Sequence, residues 1–185
     1  MPLTPEEQAD IEARFEALEE QIRRLKRKSN VDPRIPLLAT GFDVEDALFS
    51  PAVRVNKAGA QTTTNNALFT LLFDTEGFDT DNMHDLVSNT SRLTATTAGI
   101  YYIEGQVQFA AHATGDRFLR MFLNGTTTIS ETRLRAAAGA HRQQCGMLFA
   151  LSAGDYVELL TFQNSGGDLG VAPVRFYMFW VAPAP

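Results

Sequence analysis

Hydrophobic residues follow two different rhythms along this chain. Between Thr4 and Lys28 they fall at Ile11, Phe15, Leu18, Ile22 and Leu25, a spacing of four, three, four and three. That is a strict heptad seam, with Ile11, Leu18 and Leu25 at d and Phe15 and Ile22 at a. It predicts an N-terminal α-helical coiled coil over residues 1–28. A helix docked on a globular core carries a wider apolar stripe, whereas the other positions here are charged almost throughout. Thr4, Pro5 and Glu7 form a helix-start signal. Acidic residues crowd the first turns and RRLKRK the last, which matches the helix dipole. Arg14 at g and Glu19 at e are placed to pair between parallel chains. About 35 Å of helix is marginal by itself, so another part of the chain is expected to oligomerise with it. The seam suits two or three strands.

Residues 29–52 lose this period. Pro33, Pro36, Gly41 and Pro51 mark a linker or collar, with room for a short helix around Val44 to Leu48. From Val53 to the end the rhythm is two. In GIYYIEGQVQF, Tyr101, Ile103, Gly105, Val107 and Phe109 share one face, and Tyr102, Glu104, Gln106 and Gln108 the other. RFLRMFL runs into an Asn124-Gly125 turn, and two strands flank Ser152-Ala153-Gly154-Asp155. Residues 53–185 therefore read as a mainly β head, a β-sandwich or jelly roll. ALFTLLF and RFYMFWV are apolar on both faces. One face of an antiparallel sheet normally meets water, so a second apolar face marks a subunit interface. The candidates are Leu68, Leu72, Tyr101, Tyr177 and Phe179.

Composition narrows the function. The 185 residues are 44% hydrophobic and 21% charged, with a net charge of −6. That balance opposes nucleic-acid binding, which needs a positive surface, and the dipole and heptad account for RRLKRK. No apolar run is long enough for a membrane helix, and the N-terminus has no secretory-signal pattern. Cys145 stands alone in an apolar run and reads as a small buried hydrophobe. His84, His112 and His141 are the only histidines, and no hydrolase, zincin, P-loop or dinucleotide fingerprint occurs. The Gly-rich stretch Ser165 to Gly170 lies between strands, not at a helix start. The expectation is a protein that is not an enzyme.

Four motifs in order resemble one family. Leu93-Thr94-Ala95-Thr96-Thr97-Ala98-Gly99-Ile100-Tyr101-Tyr102-Ile103 follows its pattern of an aromatic, five residues, then Gly-x-Tyr-x-Phe, with Leu93 for the first aromatic and Ile103 for the Phe. Phe122-Leu123-Asn124-Gly125, the Leu151-to-Val157 hairpin and the aromatic strand Phe176 to Trp180 come after it. Over Val53 to Val181 the chain resembles the head of the complement C1q/tumour-necrosis-factor superfamily. The resemblance implies a C1q/TNF-like jelly-roll homotrimer, with the apolar inner sheet around a three-fold axis and a three-stranded stalk. FDTDNMHD, SRLT and AGIYY look most like bacteriophage and bacterial versions. That implies a virion protein made in the bacterial cytoplasm, a tail or head fibre. It would bind other virion proteins through its N-terminal region and a host-surface glycan or protein through its head. Alternatives are a capsid decoration protein and a non-virion bacterial carbohydrate-binding module.

FDTDNMHD, residues 78–85, also offers Asp79, Asp81 and Asp85 as calcium candidates, and some family members bind calcium near the trimer apex. The stretch starts like a calcium loop but lacks the Gly at the sixth position and the Glu at the twelfth. The favoured expectation is a solvated connection in which Asp and Asn bond the local backbone, with no cofactor. Sequons at Asn89 and Asn124 carry no meaning without secretion. Receptor-loop candidates are Asn82, His84, His141, Asn164 and Asp168, within the stretches Asp79–Asn89, Ala111–Asp116, Arg135–Arg142 and Asn164–Asp168.

Overall fold

The computed structural model describes residues 50–184 and, further upstream, Arg14, Glu16 and Glu19, which are helical and exposed. The seam residues Ile11, Phe15, Leu18, Ile22 and Leu25 lie outside the described residues, as does the collar up to residue 49. The chain divides into two units, Met1–Val44 and Glu45–Pro185, and every strand among the described residues belongs to the second.

Among the described residues of that unit are eleven strands: β1 (Ala52–Lys57), β2 (Gln61–Thr63), β3 (Ala67–Thr70), β4 (Thr75–Asp79), β5 (Arg92–Thr94), β6 (Gly99–Phe109), β7 (Asp116–Leu123), β8 (Thr127–Arg135), β9 (His141–Leu151), β10 (Tyr156–Gln163) and β11 (Leu169–Ala182). They form two antiparallel sheets. The first runs β4-β1-β11-β6-β9, with β2 also on β11; the second runs β3-β10-β7-β8, with β5 also on β10. Strand β11 is shared end to end, β2 pairing with Leu169–Val171 and β1 with Val174–Phe179. Ala172-Pro173, a cis peptide, falls in the register break between them, where a proline without an N–H is tolerated.

The alternation read from the sequence sets the core. Tyr101, Ile103, Val107 and Phe109 of β6 are wholly buried, as are Phe176 and Met178 of β11 and Val157 and Leu159 of β10. Phe73 stacks on Phe176 at 5.7 Å. Gly105 holds the inward place opposite Leu159. A Cβ there would sit 2.4 Å from one Leu159 methyl and 2.6 Å from the other, so the bare backbone lets the two sheets close. Cys145 is buried, and burial pushes its thiol up to about 12; it behaves as the small hydrophobe expected.

Two sequence expectations need correction. Tyr101 is not an interface residue: its ring lies in the sandwich core and its hydroxyl donates to the Thr97 carbonyl at 2.6 Å. ALFTLLF is not one two-faced strand. β3 ends at Thr70, and the chain then crosses from the second sheet to the first. Leu71 and Phe73 enter the core, and the Gln61 side chain closes two hydrogen bonds on the Leu72 backbone, at 2.9 and 3.0 Å. Leu72 is exposed on this crossing and Leu68 on the second sheet, so neither shares a face with Tyr177 and Phe179.

Candidate functional site

The outer face of the first sheet changes character along the strands. One cross-strand row reads Ala52, Phe179, Tyr102, Leu148, and the next Arg54, Tyr177, Glu104, Gly146. A third reads Asn56, Arg175, Gln106, Gln144. The apolar end is open: Phe179 is 42% exposed, Leu148 57% and Val181 46%. Tyr102 packs on Phe179 at 5.4 Å between ring centroids.

Glu104 lies in the middle row and is nearly buried although it points away from the core. Tyr102 donates to its Oε2 at 2.6 Å and Gln106 to its Oε1 at 2.7 Å, and Tyr177 also bonds it. Burial pushes this carboxyl up, but the bonds from Tyr102, Tyr177 and Gln106 outweigh it and hold the carboxyl below its ordinary range. Burial, then the bond to Glu104, pushes the Tyr177 phenol up. Gly146 makes room for the group, since a Cβ there would meet Glu104 Cγ and the Tyr102 hydroxyl at 3.3 Å. The result is a carboxylate ringed by hydroxyl and amide donors, beside an aromatic patch. A second apolar surface lies on the other sheet. There Phe118 meets Phe162 edge to face at 5.1 Å, Leu68 is exposed, and Arg120 and Arg133 lie over the Phe118 ring.

The loops sort by end. The Ser50 hydroxyl donates to the Trp180 carbonyl at 3.4 Å, and Trp180 N–H donates to the Pro51 carbonyl at 2.8 Å, which fixes a proximal end where the head begins. The stretch FDTDNMHD and the β4–β5 loop lie there, since the Thr80 hydroxyl bonds the Ala52 N–H and carbonyl. The loops at 111–115, 136–140 and 164–168 lie at the opposite, distal end. Gly115, Ala136, Asp116 and Asn164 are tied together there by hydrogen bonds.

Each acidic residue of FDTDNMHD accepts hydrogen bonds from the fold through at least one carboxylate oxygen. Asp79 accepts from the N–H groups of Asp81, Met83 and His84. Asp85 Oδ1 accepts from Val87 and Ser88, and these bonds hold the carboxyl below its ordinary range. Asp81 accepts from the hydroxyls of Thr96 and Thr97. Among the described residues no group of three or more His, Cys, Asp and Glu converges as a metal set.

The receptor-loop candidates fare unequally. The His84 ring is buried, 2.9 Å from Glu76 Oε1 and 3.3 Å from the Thr90 carbonyl, so it props the loop instead of facing outward. His141 opens β9 with its ring against Phe109 and both ring nitrogens shielded. Asn164 and Asp168 are exposed, but each spends Oδ1 on a backbone N–H, of Asp116 and Asn65. Asn82 is exposed, with φ of 51° and no hydrogen bond from its amide within the described residues. Glu104, Leu148 and the Phe118–Phe162 pair were not singled out from the sequence. Alternation puts Glu104 beside Tyr102, but only the pairing register brings Tyr177 and Leu148 to them.

No family model matches the chain, and neither does any curated protein. Solved structures do match. The globular domain of zebrafish complement 1qA is 16% identical, with a TM-score of 0.52 over 72% of this chain and 99% of that one. Murine APRIL is 9% identical, with a TM-score of 0.57 over 71% of this chain and 99% of that one. Likeness at such identities carries the fold: the head is a C1q/TNF-like jelly-roll sandwich of two antiparallel sheets.

Proposed function

We propose that this chain is a trimeric structural protein of a bacteriophage virion, a tail or head fibre whose head attaches the particle to its host. The trimer rests on one observation: Phe179, Tyr102, Leu148 and Val181 form an apolar region on the outer face of a sheet, beside a desolvated carboxylate. A face of this kind is stabilised when a neighbouring subunit covers it. The heptad seam over 1–28 supports the same assembly, and three strands reconcile it with the jelly-roll head. The N-terminal region would join other virion proteins, and the head would meet a host-surface glycan or protein by binding, not catalysis. The virion part of the reading draws on the likeness of FDTDNMHD, SRLT and AGIYY to bacteriophage sequences.

Size-exclusion chromatography with light scattering tests the assembly. The expected mass is three times the 20.4 kDa of one chain, and a monomer at micromolar concentration would overturn it. Immunogold labelling of phage particles tests the location, and unlabelled particles would refute the virion role.

A further inference from the structure

The β4–β5 loop and the edge of the second sheet enclose a groove of about 410 Å³ whose lining includes Asn82, Asp85, Ser88, Asn89, Arg92 and Tyr156. That volume lies within the range of about 300–1,000 Å³ common to small-ligand sites. The scaffold of the groove is already bonded. Asp79 holds three loop N–H groups, Asp85 Oδ1 holds two, and the buried His84 ring spans Glu76 and Thr90. Arg92 Cζ lies over the Tyr156 ring, 3.9 Å from its centroid, and its Nε donates to Glu158 at 3.3 Å. Several polar atoms remain without a hydrogen bond within the described residues: Asp85 Oδ2, the amides of Asn82 and Asn89, Ser88 Oγ and both Nη groups of Arg92. A fixed frame presenting unspent donors and acceptors is how a preorganised polar site is built.

We propose that this groove binds a neutral glycan of one or two sugar rings. Each sugar hydroxyl both donates and accepts, so adjacent hydroxyls match a lining that mixes the Arg92 fork, two amides and a free carboxylate oxygen. Charge argues for an uncharged sugar. Glu158 offsets Arg92, the free oxygen of Asp85 repels a carboxylate or sulfate, and the chain as a whole carries −6. The site rests on the attachment reading and gives it a ligand class. A shallow site binds weakly alone, and three copies on one head multiply the effect.

Saturation-transfer NMR on the full chain tests this, with methyl glycosides of galactose, glucose, mannose and N-acetylglucosamine as probes and galacturonate as the charged counterpart. At least one neutral glycoside gives a signal and galacturonate gives none. Asn82→Gly and Asn89→Gly remove the amides while suiting the positive φ of 51° and 53°, and each weakens binding about fivefold or more. Asp85→Asn keeps Oδ1 as acceptor but turns the free oxygen into a donor, with a similar loss. No neutral glycoside bound, a preference for galacturonate, or binding unchanged in all three variants would overturn the site. Adsorption of the labelled protein to host cells separates the two ideas. Sugar binding without adsorption refutes attachment and keeps the site, whereas adsorption that all three variants retain without sugar binding refutes the site and keeps attachment.

Discussion

Replacing Phe179 by Asp puts the proposed trimer to a quantitative test. Burying a Phe side chain completely is worth about 1.5–3 kcal/mol. Phe179 is 42% exposed in one chain, so a covering neighbour gains about 1 kcal/mol from it. A trimer contains the residue three times, for about 3 kcal/mol, or a little over a hundredfold in the association constant. An Asp in the covered face adds the cost of an unpaired buried charge, a further few kcal/mol. Sedimentation velocity across a concentration series should show Phe179→Asp dissociating at concentrations where the parent stays trimeric. If the stalk still holds the chains together, the heads should melt at lower temperature. Val87→Asp is the control, because Val87 is 90% exposed on the β4–β5 loop, off this sheet face, and should change neither quantity. A trimer that tolerates Phe179→Asp with unchanged mass and melting would show that this face is not the interface.

Three further outcomes follow from the fold. Gly105→Ala drives a methyl into Leu159 and should destabilise by about 1–3 kcal/mol in urea unfolding, and pairing it with Leu159→Val should recover part of the loss; simple additivity would contradict the close approach. Asp79→Ala frees three loop N–H groups and should cost about 2–3 kcal/mol, while calcium or a chelator leaves the melting temperature unmoved, because both oxygens of Asp79 are already bonded to the backbone. Glu104 has a depressed pKa, so it contributes stability above its ordinary value of 4.5 and loses it as pH falls through the folded-state value. The difference in melting temperature between the parent and Glu104→Gln should therefore shrink below about pH 4.5, and a gap that is constant with pH would count against the donor ring around Glu104.

How much of this was readable from sequence depends on the range of the interaction. The period of two in GIYYIEGQVQF gave the buried face of β6 residue by residue, because alternation is a local property of strands. The apolar run ALFTLLF misled for the same reason: alternation cannot tell a strand from a segment crossing between sheets. What breaks β3 is Gln61, eleven residues from Leu72, whose side chain replaces a strand partner. FDTDNMHD looked like ligand chemistry, and the expectation of local backbone bonds was right for Asp79 and Asp85. His84 could not be read as buried, because its partner Glu76 comes from the preceding strand. Tyr102 and Gln106 lie two residues either side of Glu104, but Tyr177 of β11 and the space left by Gly146 of β9 reach it only through the pairing register, information that no window of sequence holds.

The pairing of Ser50 and Pro51 with Trp180 also has a practical side. Because Ser50 and the end of β11 lie at the same end of the sandwich, a carrier joined directly behind β11 would lie at that end and leave the far loops uncovered. Gly139 sits in one of those loops with open space around it. A foreign peptide spliced between Ala138 and Gly139 would project away from the carrier, without cutting a strand or displacing a core side chain. The jelly roll is in that sense a pedestal, and a proposed trimer would raise three such inserts together.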